Sequence, residues 1–399
     1  MLKRPPLQAL ALAACLALTA LSAPGPALAA SQAAPQTAPP AAITSPPKVL
    51  LVVSSEGRRD EKGENTRPGF EMDEFAQAWL VLRANGVQVE VASPAGGAVV
   101  ADRYSRDDDT IQALERDPQA QAALAATRRT QDVAAGEHAA ILLIGGKGAM
   151  FDLPRDAALI RLMGAHHGRG GVLAAVCHGP AALLAVQGPE GRPLVQGRRL
   201  TGFTDEEETV FGKQWAKSYP FWIERRAREL GAQWEETALM MPKLVVDDRL
   251  ITGQNPFSTP LVAEAVLRAL GRTPQPRAAF REEASLQLVQ QWLAGEKAGA
   301  QALLASEPGR YKANLIAMLG HYQHGAAADE AGRRQAVAVM ELAAPHFQHP
   351  QFRLSLAKAQ AGLGAQQRAR ELLALVAAEG HKDSKAREEA RALLARQPG

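Results

Sequence analysis

Residues 172–184 read VLAAVCHGPAALL, an apolar run that leads into a cysteine–histidine pair and continues as an alanine–leucine segment. Because residues 172–176 are apolar without alternation, they are typical of a buried strand in a parallel sheet. Pro180 suits the first turn of a helix, where a backbone N–H would have no partner, and Gly179 permits a sharp turn before it. The pattern predicts a strand–turn–helix unit with Cys177 at the turn.

A cysteine at such a turn is a candidate nucleophile. A strand that turns at once into a helix holds the side chain in a strained elbow, and the helix N-terminus directs backbone N–H groups toward whatever the side chain attacks. The same field favours a thiolate, so we expect the pKa of Cys177 to be lowered. Most free cysteines are small buried hydrophobic residues, but Cys177 is followed by His178 and is the one cysteine after residue 29.

Residues 1–29 have the pattern of a secretion signal. Two basic residues precede an apolar run over residues 7–21, and ALA at 27–29 fits the small-x-small pattern of a signal-peptidase site. The sequence around Cys15 also resembles a lipoprotein cleavage box, but the apolar run continues past it, which favours cleavage before Ala30. We therefore expect an exported, periplasmic protein, with a lipid anchor at Cys15 as the alternative.

The composition is that of a globular protein, with 46% hydrophobic residues, 22% charged residues and a formal net charge of +3. Removal of two basic residues with the N-terminal segment brings this charge near +1, which leaves no electrostatic case for nucleic acid. No stretch after residue 29 approaches the ~18 apolar residues that a membrane span needs. With one cysteine left, no disulfide can form within one mature chain, so stability must come from packing.

Residues 48–271 alternate between strand-like and helix-like segments. This alternation predicts an α/β, flavodoxin-like layered sheet with ligands beyond the carboxyl ends of its strands. We expect the loops after Val53, Ile144 and Val176 to converge on one crevice. The predicted strands are 49–53, 87–92, 141–144 and 172–176, with two shorter ones near 200 and at 244–246 and a hairpin-like end at 251–252. Besides the helix after Cys177, the predicted helices are 71–85, 155–169, 221–230 and 259–270.

The chain changes character on both sides of this α/β region. Residues 30–47 are rich in Ala, Pro, Gln, Ser and Thr, which predicts a solvated, disordered tether. Residues 277–399 have no strand-like run, and segments that begin at Ala336 and Ala369 align at a spacing of 33. That period is typical of tetratricopeptide helix pairs. We expect about six short helices, either as such a stack or as an irregular helical cap on the α/β domain.

The motif AVCHGP at 175–180 resembles the nucleophile elbow of the ThiJ/PfpI superfamily, which is similar to class I glutamine amidotransferase domains. Three further motifs narrow the resemblance to the branch with glutathione-independent glyoxalase III enzymes and a related heat-shock chaperone. They are RPGFEMDEF at 67–75, LTGFTDEEET at 200–209 and DDRLITGQNPFS at 247–258. The resemblance covers about 48–271 and leaves the helical tail outside it.

The resemblance implies a catalytic set of Glu74, Cys177, His178 and Glu208. Glu74, five positions after the glycine of the first motif, would lie beside the cysteine and handle protons. Glu208 would orient His178. No cofactor and no metal are implied.

Both acidic assignments have competitors. Glu71 and Asp73 are close to Glu74, and a glutamate at a helix N-terminus is also stabilised there by the dipole alone. Residues 205–207 are acidic as well, so a solvated acidic run is the alternative reading of the segment that contains Glu208.

The loop GGKG at 145–148 is expected to supply backbone N–H groups to an oxyanion. Gly146, Lys147, Gly148 and, after the cysteine, Gly179 are therefore the predicted oxyanion and substrate-binding residues. Relatives of this kind often carry histidine where this chain has Lys147. A lysine adds a fixed charge that either favours an anionic substrate or points to solvent, which leaves the choice of substrate open.

A thiolate flanked by a carboxylate, a histidine and oxyanion donors suits addition to an electrophilic carbon. The resemblance implies a small-molecule substrate, a 2-oxoaldehyde such as methylglyoxal, and its conversion to a 2-hydroxy acid by a glyoxalase III-like hydro-lyase of the D-lactate dehydratase type. Peptidase or amidase chemistry and a stress chaperone are the alternatives, and the chaperone would need an exposed apolar surface. A homodimer and a protein partner for residues 277–399 are compatible with the sequence.

Overall fold

The structure is a computed structural model that describes residues 46–378 and 384–396. The predicted signal peptide over 1–29 lies outside the described residues, as does the predicted tether apart from residues 46 and 47. An α/β part is followed along the chain by an all-helical part. None of the helices in the two described ranges combines the length and the apolar composition that crossing a membrane requires.

The α/β part contains eleven strands and eight α-helices among the described residues. The strands are β1 (Lys48–Val52), β2 (Arg58–Arg59), β3 (Asn65–Arg67), β4 (Gln88–Ser93), β5 (Arg128–Arg129), β6 (Ala140–Leu143), β7 (Val172–Val176), β8 (Arg199–Leu200), β9 (Gln233–Trp234), β10 (Leu244–Asp247) and β11 (Leu250–Gly253). The helices are α1 (Met72–Ala84), α2 (Asp109–Glu115), α3 (Pro118–Ala125), α4 (Ala157–Gly168), α5 (Pro180–Leu183), α6 (Asp205–Phe211), α7 (Ile223–Glu229) and α8 (Thr259–Ala269).

Seven strands form the main sheet, in the order β10-β11-β7-β6-β1-β4-β5. Neighbouring strands are parallel, except that the edge strand β10 is antiparallel to β11. The predicted α/β layered fold is therefore confirmed. Because β1, β6 and β7 are adjacent and parallel, their carboxyl ends meet at one edge of the sheet.

Both faces of the sheet are buried, which explains why its central strands are continuously apolar. Val49 and Leu51 of β1 face a core that includes α1 and α8. Leu50 and Val52 of the same strand face the opposite core, which includes α4 and α5. Helices therefore cover the sheet on both sides and leave the carboxyl ends of the strands for a site.

The elements that sequence patterning missed are short and polar. The β2–β3 hairpin and the edge strand β5 consist of arginines with an asparagine and a threonine, so no apolar run marks them. The predicted strand near Leu200 exists as β8, but it pairs with β9 in a separate two-stranded sheet.

The C-terminal part contains seven helices within the described residues, one more than predicted. They are α9 (Arg281–Leu293), α10 (Lys297–Ser306), α11 (Ala313–Ala326), α12 (Glu330–Ala343), α13 (Pro350–Gly362), α14 (Gln366–Ala378) and α15 (Ser384–Ala395). Helices α11 and α12 pack together, as do α13 and α14. The two aligned segments, from Ala336 and from Ala369, lie on the second helix of each pair, and their assignment to tetratricopeptide repeats stays a prediction.

The helical part packs directly against the α/β part. Leu239, Met240 and Met241, which precede β10, belong to the apolar core of the helical part. Between α8 and α9 the chain has no helix or strand, and Arg277 in this connection pairs with Glu264 of α8 at 3.0 Å. The division into domains 48–271 and 277–399 stays a prediction.

Candidate active site

The turn after β7 has the geometry of a nucleophile elbow. Cys177 has φ of 58°, a left-handed backbone conformation that is uncommon for a residue with a side chain. The Cys177 N–H donates to the Gly253 carbonyl oxygen at 3.0 Å, and the Cys177 carbonyl accepts from the Phe203 N–H at 2.9 Å. Hydrogen bonds to two separate segments therefore hold the strained residue in place.

His178 connects the cysteine to a buried carboxylate. The Cys177 Sγ lies 3.3 Å from His178 Nδ1, and His178 Nε2 lies 2.7 Å from Glu208 Oε1. The histidine and glutamate side chains are 2% and 0% exposed, so water does not compete for this contact. When His178 Nε2–H donates its hydrogen bond to Glu208, Nδ1 is left as the acceptor that faces the thiol.

Glu74 approaches the cysteine from α1. Its Oε2 accepts a hydrogen bond from the Gly145 N–H at 2.7 Å, while Oε1 is buried without a nitrogen or oxygen partner in the described part of the chain. A contact with the Cys177 thiol favours the ionised carboxylate, but burial and the neighbouring Glu71 together raise the pKa of Glu74 well above its usual range.

The expected lowering of the cysteine pKa is wrong. Burial, followed by the charge of Glu74, raises the pKa of Cys177 well above its ordinary value. The helix that was expected to lower it, α5, has four residues, and the thiol is 3% exposed. Desolvation of the anion therefore outweighs the helix field. With both pKa values raised, the thiol and Glu74 are suited to share a proton.

Neither competitor of Glu74 contacts the thiol. Glu71 lines the cavity described below, and burial, then the charge of Asp73, raises its pKa to about 8, although Lys147 opposes this rise. Asp73 interacts instead with Glu282 and other charges of the helical part. Of the three acidic residues, Glu74 is the one that contacts the thiol.

The four acidic residues at 205–208 differ in burial and in their partners. Glu207 and Glu208 are each 1% exposed, so the run is not a uniformly solvated one. Glu208 binds His178, whereas Glu207 Oε1 accepts a hydrogen bond from Asn255 Nδ2 at 2.8 Å. Asp205 pairs with Arg225 toward the surface.

The predicted oxyanion donors require correction. The Gly148 N–H donates to the Gly69 carbonyl at 2.9 Å and the Gly179 N–H to the Val176 carbonyl at 2.8 Å, so neither is available to a ligand. The N–H of Lys147 is directed at the Asp102 carboxylate.

One backbone N–H group lies at the sulfur. The Gly146 N–H hydrogen-bonds to the sulfur of Cys177. Gly146 is thus the predicted donor that remains beside the thiol.

A cavity of about 230 Å³ opens at the cysteine. Its polar lining includes Glu71, Lys147, Cys177 and His178, so Lys147 borders the cavity. Its apolar lining was missed from the sequence, in part because it comes from distant segments. It includes Phe203, Phe211, Met240, Phe257 and Met318.

One group of side chains in the described residues has metal-like spacing, and it lies at the other end of the sheet. Glu90, Glu137 and His138 bring one ligand atom each within 4.8 Å of the others. Arg128 already forms hydrogen bonds with both carboxylates, at 2.9 and 2.7 Å. The cation of Arg128 therefore fills the role that a metal ion would have there.

The chain belongs to the DJ-1/PfpI family, whose model matches residues 66–269. Glutathione-independent glyoxalase hsp3101 of Schizosaccharomyces pombe is 33% identical over 239 residues, which cover 57% of this chain and 97% of that protein. Glutathione-independent glyoxalase HSP31 of Saccharomyces cerevisiae is 28% identical over 242 residues, 57% of this chain and 99% of that protein. The crystal structure of glyoxalase III from Candida albicans matches with a TM-score of 0.51 and 28% identity, over 56% of this chain and 96% of that one. The resemblance inferred from the four motifs is confirmed, and the family match ends before the helical part.

Proposed function

We propose that this protein is a cysteine-dependent glyoxalase that converts 2-oxoaldehydes such as methylglyoxal into 2-hydroxy acids without glutathione. The observation that carries the proposal is the buried array of Glu74, Cys177, His178 and Glu208 at a cavity of about 230 Å³. The relatives that are named glutathione-independent glyoxalases support the same reaction class.

The first step is addition of the thiol to the aldehyde carbon. The Cys177 sulfur bonds to C1, and the thiol proton passes through His178 Nδ1 or Glu74 to the former carbonyl oxygen, which gives a hemithioacetal. The Gly146 N–H hydrogen-bonds to the sulfur, where it can stabilise negative charge on that oxygen.

The second step moves hydrogen from C1 to C2. A base removes the C1 proton, an enediolate forms, and the proton returns to C2, which leaves a thioester of the 2-hydroxy acid. We assign this base to Glu74, because its Oε1 has no other nitrogen or oxygen partner among the described residues and its raised pKa makes it a stronger base than an ordinary carboxylate. Water then cleaves the thioester, so that one 2-oxoaldehyde and one water give one 2-hydroxy acid and the free thiol.

The alternatives fit the cavity less well. A peptide substrate would need an open groove, whereas about 230 Å³ is below the ~300–1,000 Å³ typical of drug-sized ligands. A chaperone needs a contiguous apolar surface. Within the described residues the exposed large apolar side chains are Val246, Met318 and Leu375, on three different elements.

Export, as expected from residues 1–29, is part of this proposal. The intact mass of the secreted chain tests it, since cleavage before Ala30 and lipidation at Cys15 give different masses. A homodimer and a protein partner for the helical part stay predictions.

The test is lactate formation by the purified full chain supplied with methylglyoxal and no glutathione. We expect turnover in the wild type and none in Cys177→Ser, with the circular dichroism spectrum unchanged. Absence of lactate from the wild type, or equal turnover in the variant, would overturn the proposal.

A further inference from the structure

One residue of the cavity wall comes from outside the family domain. Met318 lies on α11 of the helical part, yet it lines the same cavity as Cys177. Its side chain is 43% exposed, unlike the fully buried apolar residues on either side of it, Ala317 and Leu319. Met318 is therefore not simply core packing of the helical part.

Contacts one turn further along α11 fix the position of Met318. The ring of Tyr322 lies 4.9 Å from the ring of Phe211, and Gln323 Nε2 donates to the Leu239 carbonyl at 2.9 Å. Phe211 and the neighbour of Leu239, Met240, both line the cavity themselves. The helix thus binds to the two segments that complete the wall around Met318.

The cavity lining is mixed. Cys177, His178, Glu71, Lys147, Glu207 and Asn255 are its polar side chains, and Phe211, Phe257 and Met318 are among its apolar ones. When the aldehyde carbon is bonded to the sulfur, the rest of a 2-oxoaldehyde must extend away from the elbow, into the remaining space. A methionine suits that position, because its unbranched side chain adapts to what it contacts.

We propose that the helical part forms one wall of the active site and that Met318 limits the size of the acyl substituent that a 2-oxoaldehyde can carry. The role of Met318 in substrate specificity rests on the proposed glyoxalase function, whereas the position of the helical part at the active site does not. Removal of the Met318 side chain enlarges the cavity where α11 borders it, and a bulkier side chain narrows it there.

The substrate test compares methylglyoxal with phenylglyoxal, whose aryl group is much larger than methyl. In Met318→Ala we expect the ratio of kcat/KM for phenylglyoxal to that for methylglyoxal to rise about tenfold, the usual scale for a change of this size in an apolar pocket. Met318→Trp should lower the same ratio. Leu375→Ala is the matched control, since Leu375 is an equally exposed apolar residue (50%) on α14 that does not line the cavity, and it should leave the ratio unchanged.

A second test needs no turnover. Cys177 is alkylated with small iodoacetamide or bulky N-phenylmaleimide, and modification at this residue is followed by peptide mass spectrometry. Met318→Ala should raise the maleimide rate about tenfold relative to the iodoacetamide rate, and Leu375→Ala should not.

An unchanged ratio of the two alkylation rates in both Met318 variants would contradict the proposal that the helical part forms a wall of the active site. If the wild type makes no lactate while the alkylation ratio shifts as expected, the proposed glyoxalase function is wrong, but the placement of the helical part at the active site is supported. If lactate forms and the substrate ratio does not move, the assignment of specificity to Met318 fails.

Discussion

At the residue scale, the chemistry depends on a thiol that lies between two proton acceptors. His178 Nδ1 is 3.3 Å from the sulfur, and the side chain of Glu74, on α1, contacts the thiol as well. The sequence pattern identified Cys177 and His178, because strand, turn and helix follow each other within thirteen residues, whereas Glu74 was implied by the resemblance of the motif at 67–75. It did not predict the sign of the cysteine pKa shift, because desolvation depends on how the whole chain packs around the sulfur.

Substitution of Glu74 separates its role as a base from its charge. Glu74→Gln keeps an oxygen for the Gly145 N–H but cannot accept a proton, so lactate formation should fall by about a hundredfold or more. The same substitution should make alkylation of Cys177 faster, because it lowers the pKa of the thiol. The wild-type inflection should lie above the usual value of about 8.5, and loss of the carboxylate charge, which raises the thiol pKa, should move it to lower pH.

Glu71→Gln is the matched control, because Glu71 lines the same cavity without contacting the thiol. Its effect on kcat should remain below about tenfold, less than the loss of a positioned acid–base group. Equal loss of kcat in the two variants would contradict the assignment of the base to Glu74, as would an upward shift of the alkylation inflection in Glu74→Gln.

At the element scale, sequence patterning succeeded where an element is apolar and buried, and failed where it is polar. The bounds of β7 were predicted to the residue, because Val172 begins an apolar run that ends at the cysteine. The β2–β3 hairpin had no such run. The use of each backbone N–H was also beyond the sequence, since the acceptor of the Gly148 N–H, Gly69, lies far from it along the chain.

The pairing of α11 with α12 depends on a glycine. A Cβ on Gly320 would lie 2.6 Å from Met340 Cγ, 2.8 Å from its backbone nitrogen and 2.9 Å from the Ala336 oxygen. Backbone atoms of α12 cannot move aside without shifting the helix. We expect Gly320→Ala to lower the free energy of unfolding by about 1–3 kcal/mol, the cost of overpacking.

Gly325→Ala, on the same helix, is the matched control. No atom lies within 4 Å of its Cβ position, so the substitution should be neutral or stabilising by up to about 1 kcal/mol. Denaturant unfolding of the two variants beside the wild type measures the difference. If both alanines have the same effect, close packing at Gly320 is not what holds α11 against α12.

At the scale of the whole molecule, the family domain and the helical part share an interface beside the active site. Apolar contacts at Leu239–Met241 lie on one side of it. Elsewhere, Lys312, the residue before α11, bonds to Asp108 of the α/β part and lies 3.0 Å from Glu282 of α9. Composition and motifs distinguish the two parts, but no periodicity or motif could indicate that Met318 lines the same cavity as Cys177, which lies 141 residues earlier in the chain.

Charge at this interface makes its stability depend on pH. Burial, followed by the charges of Glu282 and Asp108, raises the pKa of Asp73 to about 7, and Lys312 opposes this rise. A carboxyl group with a raised pKa in the folded state stabilises that state below its unfolded value near 4, and this contribution is lost as pH rises through about 7. The lysine is therefore most needed above about pH 7, where Asp73 is ionised.

Replacement of this lysine tests the argument. Lys312→Gln should destabilise the protein by about 2 kcal/mol or more at pH 8, because its charged partners then lack their cation. The loss should be smaller at pH 5, where Asp73 is protonated. Lys358→Gln is the control, since its ion pair with Glu389 joins side chains that are 49% and 45% exposed and should contribute less than about 1 kcal/mol at either pH. Urea unfolding at both pH values gives the comparison, and a Lys312→Gln deficit that is equal at the two pH values, or larger at pH 5, would show that Asp73 does not titrate at this interface.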